Sequence, residues 1–178
     1  MSQLTMVDLF CGLGGASEPF RDAGWRVIGV DIESRFKPDI VADLRDPLPL
    51  KRIRDVLLWA SVPCDGYARC VLPWKNARPG DESTELAEAT ARTIAEWEPT
   101  IWIVECSSLS RKWLTPVFGP VRATIGTSHA FWSNRALLIP DCPARKEKMG
   151  PRPDRPAQRA KIPYEIGDAI RRQIEALQ

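Results

Sequence analysis

The 178-residue chain has a single histidine, His129, and five cysteines, at 11, 64, 70, 106 and 142, with neither CxxC spacing nor a histidine beside them. A zinc site wants Cys and His ligands at short fixed spacings, and an odd cysteine count suits no disulfide frame, so no metal is expected. Long apolar runs are missing as well. Nothing approaches the roughly 18 residues of a membrane span, and the N-terminus lacks a basic-then-apolar signal pattern, so the expectation is a cytoplasmic protein without a membrane partner. No charge sign dominates: 25 Lys and Arg face 23 Asp and Glu, a net charge of +2 that does not by itself demand nucleic acid. No internal repeat is visible. A hydrophobic fraction of 44% and a charged fraction of 27% fit one soluble globular domain spanning 1–178.

The stretch from Thr5 to Glu33 organises the rest. Residues 6–10 are a short apolar run, Gly12, Gly14 and Gly15 break it, residues 16–23 suit a helix, and 26–30 are apolar again before ending on Asp31. That is one β-turn-α-β unit. Glycines let the backbone turn sharply and approach a ligand, and the following helix points unpaired N–H groups at it. An acid closing the second strand can accept the hydroxyls of a ribose. The spacing is GxGG and not the dinucleotide GxGxxG, so a tight βα turn of purely structural purpose is the alternative.

The segment Asp8-Leu-Phe-Cys-Gly-Leu-Gly-Gly15 resembles the first motif of the DNA cytosine-5 methyltransferases, which bind S-adenosylmethionine. The resemblance implies that Phe10 packs on the adenine and that Asp31 holds the ribose, with Asp31-Ile32-Glu33 matching the family's acidic-x-acidic strand end. It implies a Rossmann-like S-adenosylmethionine-dependent methyltransferase fold, a mostly parallel sheet with helices on both faces. The cofactor set expected on this basis is Asp8, Phe10, Cys11, Gly12, Leu13, Gly14, Gly15, Asp31, Ile32, Asp43, Leu44 and Pro63.

Residues 40–42 read as a third strand, after which Asp43 either contacts the adenine amino group, as in the family, or caps a helix. Residues 48–54 suit a short helix, and 56–60 a strand buried on both faces. That strand delivers Pro63-Cys64, a proline-held thiol at the ligand edge that resembles the family's catalytic loop, although Asp65 stands where Gln is usual. A mobile loop is expected at 73–81. A helix at 84–97, capped by Ser83 and stopped by Pro99, has Leu86, Thr90, Ile94 and Trp97 on one face. A strand at 100–104 ends on Glu105. A carboxylate there, next to the Cys64 loop, is expected to be desolvated and so to hold a proton near neutral pH. In the family this Glu protonates cytosine N3; here Cys106 replaces the Asn that follows it.

Two further strands are expected at 121–125 and 136–139. Between them His129, Phe131 and Trp132 contact DNA or fill core, with core preferred. Arg135 resembles the last arginine of the family's QxRxR segment and is the third catalytic candidate; a surface arginine is the alternative. Six prolines among basic residues at 140–163 mark an irregular excursion where full-length relatives carry a large recognition region, as in a short phage-type member. Residues 145–172 hold nine Lys or Arg against four Asp or Glu, a candidate phosphate-contacting edge or a solvated basic face. An amphipathic helix follows Pro163.

Together these expectations describe a DNA cytosine-5 methyltransferase acting on a cytosine flipped from double-stranded DNA, of the kind found in restriction-modification systems. Its recognition would be short or lax unless a dimer or partner subunit supplies more surface. The rivals are a non-catalytic cofactor- or DNA-binding accessory subunit and a cytosine-5 methyltransferase of RNA.

Overall fold

The computed structural model describes residues 3–53, 55–70, 81–125, 128–140 and 161–177. Most of the expected 73–81 loop and of the 140–163 excursion, and Cys142, lie outside the described residues.

Seven strands form one sheet: β1 Thr5–Leu9, β2 Arg26–Asp31, β3 Ile40–Val41, β4 Val56–Ser61, β5 Ile101–Ser107, β6 Ala123–Ile125 and β7 His129–Ser133. Their order is β3-β2-β1-β4-β5-β7-β6. The first five run parallel, and β7 is antiparallel to both its neighbours. The central strands are apolar end to end because both faces are covered: every residue of β1 is buried, as are Val56 to Ala60 of β4.

The helices are α1 Glu18–Asp22, α2 Asp65–Cys70, α3 Asp81–Trp97, α4 Arg111–Phe118 and α5 Tyr164–Glu175. One face of the sheet, with Val7, Leu9, Leu58, Val104 and Trp132, packs on Tyr67 of α2, Ala87 and Trp97 of α3, and Leu114 and Phe118 of α4. The other, with Met6, Trp59, Ile103 and Phe131, packs on Phe20 of α1 and on Ile166, Ile170 and Ile174 of α5. Those three isoleucines recur every four residues, the spacing that lines one helix face. Gly167 lets α5 approach α1 closely, since a Cβ there would stand 2.9 Å from Pro19 Cγ. The expected α/β architecture, a mostly parallel sheet with helices on both faces, is the one observed.

Several local expectations are corrected. Residues 48–53 are not helical, because Pro47 and Pro49 remove amide donors and disfavour helical backbone in the residues before them. Leu48, Leu50 and Ile53 pack against the core as irregular chain instead. Helix α3 begins at Asp81, so Ser83 lies within its first turn and does not cap it; its carbonyl accepts the Tyr67 hydroxyl at 2.7 Å. Helix α4 had no counterpart among the expected elements, and Pro116 inside it is a residue that reads as a breaker. The seventh strand is His129–Ser133 and not 136–139. Beyond it, the Leu138 backbone is satisfied from α5: Gln173 accepts from its N–H at 2.8 Å and donates to its carbonyl at 2.6 Å. A side-chain amide there takes the place of a strand partner.

Candidate active site

The turn after β1 is built on positive backbone angles, with φ of +58° at Phe10, +49° at Gly12 and +71° at Gly14. Glycine adopts such angles without strain, and Phe10 is the exception that bears some. Gly14 N–H donates to the Cys11 carbonyl at 2.8 Å, and Cys11 N–H to the Val30 carbonyl at 3.1 Å. Asp31, nearly buried at the end of β2, completes the structure: its Oδ2 accepts from Gly12 N–H at 2.9 Å and its Oδ1 from Glu33 N–H at 2.9 Å. The acid that closes β2 therefore holds the glycine turn in place. Leu13 and Ile32 are exposed at its rim. A cavity of about 280 Å³ opens beside the turn, lined by Cys11 to Gly14 and by Phe36, Lys37 and Lys161 among others.

Asp8 lies beneath this turn, fully buried, and neither carboxylate oxygen has a hydrogen-bond partner among the described residues. Burial pushes its carboxyl up to about 7, against the pull of the nearby Ser17 hydroxyl and then of Arg21. The Cys11 thiol is pushed up to about 12 by burial and then by the charges of Asp8 and Asp31, which makes it a poor nucleophile. Gly15 touches the chain entering α5: a Cβ would meet Lys161 Cγ at 2.3 Å and the Ile162 backbone at 3.0 Å.

Asp43 accepts from the Arg45 backbone N–H at 3.0 Å and from its guanidinium at 2.5 to 3.0 Å. Its carboxylate thus closes its own turn, no helix follows it to be capped, and the Arg45 hydrogen bonds hold it below the usual carboxylate range. Leu44 is a core residue.

Strands β4 and β5 are neighbours, with Ser61 opposite Glu105, and Val62 N–H extends the ladder to the Glu105 carbonyl at 3.0 Å. The chain then turns through the exposed Pro63 to Cys64, which is half-buried and directly precedes α2. Cys64 is the last residue of the short loop after β4, and α2 starts at the next residue, Asp65. Cys106 is buried, and that burial, followed by the charge of Glu105, pushes its thiol well above the usual range. Of these two thiols Cys64 is the accessible one.

Glu105 is 5% exposed and is not alone. His129 Nδ1 lies 2.7 Å from its Oε1. Burial by itself would lower the His129 imidazole, but the hydrogen bond and charge of Glu105 outweigh it, so its pKa is raised. The two side chains share a face because β5 and β7 pair Glu105 with Phe131 and Ser107 with His129, setting Glu105 and His129 on a diagonal. Phe131 and Trp132 are core, as expected. The partner role of His129 was missed, although its uniqueness in the chain and its period-two spacing from the buried Phe131 were signals.

Arg135 is not brought to this edge. It follows β7 at the opposite end of the sheet, where Asn134 accepts from Trp102 N–H and donates to the Thr100 carbonyl at the start of β5. Because β7 runs antiparallel, its start, His129 to Phe131, lies level with Ser107 to Glu105, and its C-terminal end points away from them. The described basic residues of 145–172 are all engaged: Lys161 with Glu18, Arg171 with Asp168 and Glu175, and Arg172 with Asp168. Among the described residues no cluster of acids, cysteines and histidine could hold a metal ion, and no helix is long and apolar enough to cross a membrane.

No family model matches the chain and no curated protein matches it. Among solved structures it is similar to an Escherichia coli protein described as a DNA modification methyltransferase encoded within a prophage, with TM-score 0.47 and 16% identity over 74% of this chain and 46% of that one. It is also similar to the Entamoeba histolytica methyltransferase EhMeth, with TM-score 0.47 and 13% identity over 83% and 56% of the two chains. The PH0226 protein from Pyrococcus horikoshii aligns with TM-score 0.39 and 19% identity over 70% and 58%. The chain spans about half the length of these structures. At such identities the likeness is one of general architecture, and no residue role passes from them to this chain.

Proposed function

We propose that the chain transfers a methyl group from S-adenosylmethionine to C5 of cytosine in DNA, with Cys64 as nucleophile and Glu105 as proton donor. The observation that carries this reading is the convergence at one sheet edge. A glycine turn tied to the acid ending β2, a proline-held thiol leaving β4 and a buried carboxylate near the end of β5 all lie where open α/β sheets bind ligands.

The residues fit the cofactor. Gly12 has open space where a Cβ would stand, Phe10 offers a half-buried ring, and Asp31 keeps lone pairs for a ribose beyond the two amides it accepts. Asp43 would have to give up Arg45 to join them. When bound, the cofactor supplies an electrophilic methyl group on a sulfonium. The chain's own work is on the base. Cytosine C5 is a weak nucleophile, so the Cys64 thiolate adds to C6 while Glu105 gives a proton to N3, which moves electron density to C5. After methylation, loss of the C5 proton expels the thiolate, and return of the N3 proton to Glu105 restores both the neutral ring and the acid. A base inside a duplex is out of reach of such groups and must be flipped.

The test uses DNA carrying 5-fluorocytosine, whose C5 cannot lose a proton, so that the thioether adduct persists under denaturing conditions. An adduct lost in Cys64→Ser but kept in Cys11→Ser, Cys70→Ser and Cys142→Ser is the expected result, and Glu105→Gln should slow its formation by roughly 10²–10⁴-fold. An adduct that survives Cys64→Ser overturns the assignment, and tritiated methyl transfer to RNA alone would change the substrate. The accessory-subunit reading predicts no transfer to either polymer.

A further inference from the structure

We propose that His129 is the positioning residue of this site: its Nδ1 holds Glu105 by Oε1 and shares one proton with it, leaving Oε2 as the oxygen that meets a bound base. The inference rests on the methyl-transfer reading above. Its basis is geometric. The 2.7 Å contact joins a carboxylate whose side chain is 7% exposed to an imidazole that is 17% exposed, at the end of two paired strands. A carboxylate in such a place is costly unless paired, and one hydrogen bond to a ring fixed on a strand removes much of its rotational freedom.

Among the described residues, those beside the pair on the neighbouring strands are not ionisable. Ser107 and Phe131 face it on β5 and β7, Ile125 stands opposite His129 on β6, and Ser61 stands beside Glu105 on β4. Cys106 follows Glu105 on the strand, so its side chain points to the other face, and its buried thiol stays neutral. Among the described residues, Glu105 is therefore the charge that sets the state of His129, and no third group dilutes the exchange.

One shared proton gives the pair a definite pH behaviour. Of the two arrangements, imidazolium with carboxylate and imidazole with carboxylic acid, the second serves the base: Nδ1–H donates to Oε1 and the proton on Oε2 is the one given to N3. Raising the pH past the point where the pair loses that proton leaves the carboxylate with nothing to give. The raised His129 pKa puts that loss above the ordinary imidazole range. Replacing the imidazole by a side chain that keeps an N–H donor but does not titrate takes this raised group out of the pair, so the alkaline limb of the rate profile should move downward.

The experiment has two arms. The chain's single histidine gives one set of imidazole signals, so its proton-NMR titration needs no assignment. Wild type should titrate above the ordinary value of about 6.5, and Glu105→Gln should lower the midpoint. In the second arm, tritiated methyl transfer to DNA is followed from pH 5 to 9 for wild type and His129→Asn, whose side-chain amide retains the donor. His129→Asn should lose about tenfold in kcat at pH 8, regain much of it near pH 6, and leave the KM for DNA unchanged. A uniform loss at all pH values would make His129 merely structural and overturn the proposal, as would an ordinary titration midpoint insensitive to Glu105→Gln. If wild type moves no methyl group while the ring titrates as expected, it is the functional reading that fails.

Discussion

Gly12 and Asp31 are 19 residues apart in the chain, and the Gly12 N–H lies 2.9 Å from Asp31 Oδ2. One carboxylate thus ties the turn after β1 to the end of β2, and any cofactor at this edge would meet a turn already fixed in shape. Preorganisation of this kind spares a ligand the cost of ordering the loop.

Asp31→Ala should therefore act twice, by releasing Gly12 and by removing an acceptor for the ribose. Calorimetric titration with S-adenosylmethionine or its demethylated product should show binding weakened by about 1.5–3 kcal/mol, the scale of hydrogen bonds to a charged group. Asp31→Asn, which keeps one carbonyl oxygen, should lose less. Equal binding by wild type and Asp31→Ala would remove Asp31 from the cofactor site.

Asp8 gives the folded state a pH signature. Its carboxyl has a folded pKa of about 7 against an ordinary 3.8, so between those values the folded state holds a proton that the unfolded state has released. This contribution is fully present below about 4 and fades as pH rises through 7. Asp8→Asn, neutral at every pH, should gain on wild type as pH rises from 4 to 8, with a ceiling of about 4 kcal/mol. Urea denaturation across that range measures the difference, and a gap independent of pH would mean that Asp8 has a partner in solution.

Gly15 is the place where the end of the chain closes over its beginning. Gly15→Ala would drive a methyl into Lys161 and the Ile162 backbone, and should cost about 1–3 kcal/mol in denaturation midpoints by lifting the entry to α5. Gly12→Ala, with open space around it but φ at +49°, should cost about 1 kcal/mol from backbone strain alone. If the two variants cost the same, segment 161–162 does not dock on the turn as described.

Arg135→Ala should leave methyl transfer unchanged at every pH, because the residue stands at the opposite end of the sheet from Cys64 and Glu105. A loss of tenfold or more would require the end of β7 to be rearranged in the working protein.

How much of this was legible in the chain depended on burial. Strands β1, β2, β4 and β5 are covered on both faces, so their apolar runs stand out from the polar chain around them, and the acids and the cysteine at their ends followed directly. Strand β7 was misplaced because His129 and Ser133 flank it with polar side chains, whereas the more apolar 136–139 segment is irregular chain beside α5. The partnership of Glu105 with His129 depends on antiparallel register between residues 24 apart. Register is set by tertiary packing, and a linear pattern does not record it. The position of Arg135 was hidden for the same reason: without the reversed direction of β7, nothing says which end of the sheet it occupies.

The borders of the sheet bear on how this chain behaves at high concentration. Unpaired strand edges recruit other chains, and proteins blunt them with short strands and well-placed charges. Here β3 has two residues and β6 three, too few to template a continuous ladder. Beyond β3, the outer side of β2 has its Gly29 amide occupied by the Asp39 carboxylate at 2.7 Å. A carboxylate seated on that edge repels the carbonyl row of an incoming strand. Asp39 thus protects the molecule from edge-to-edge aggregation, and two copies that do associate would meet through helices and loops.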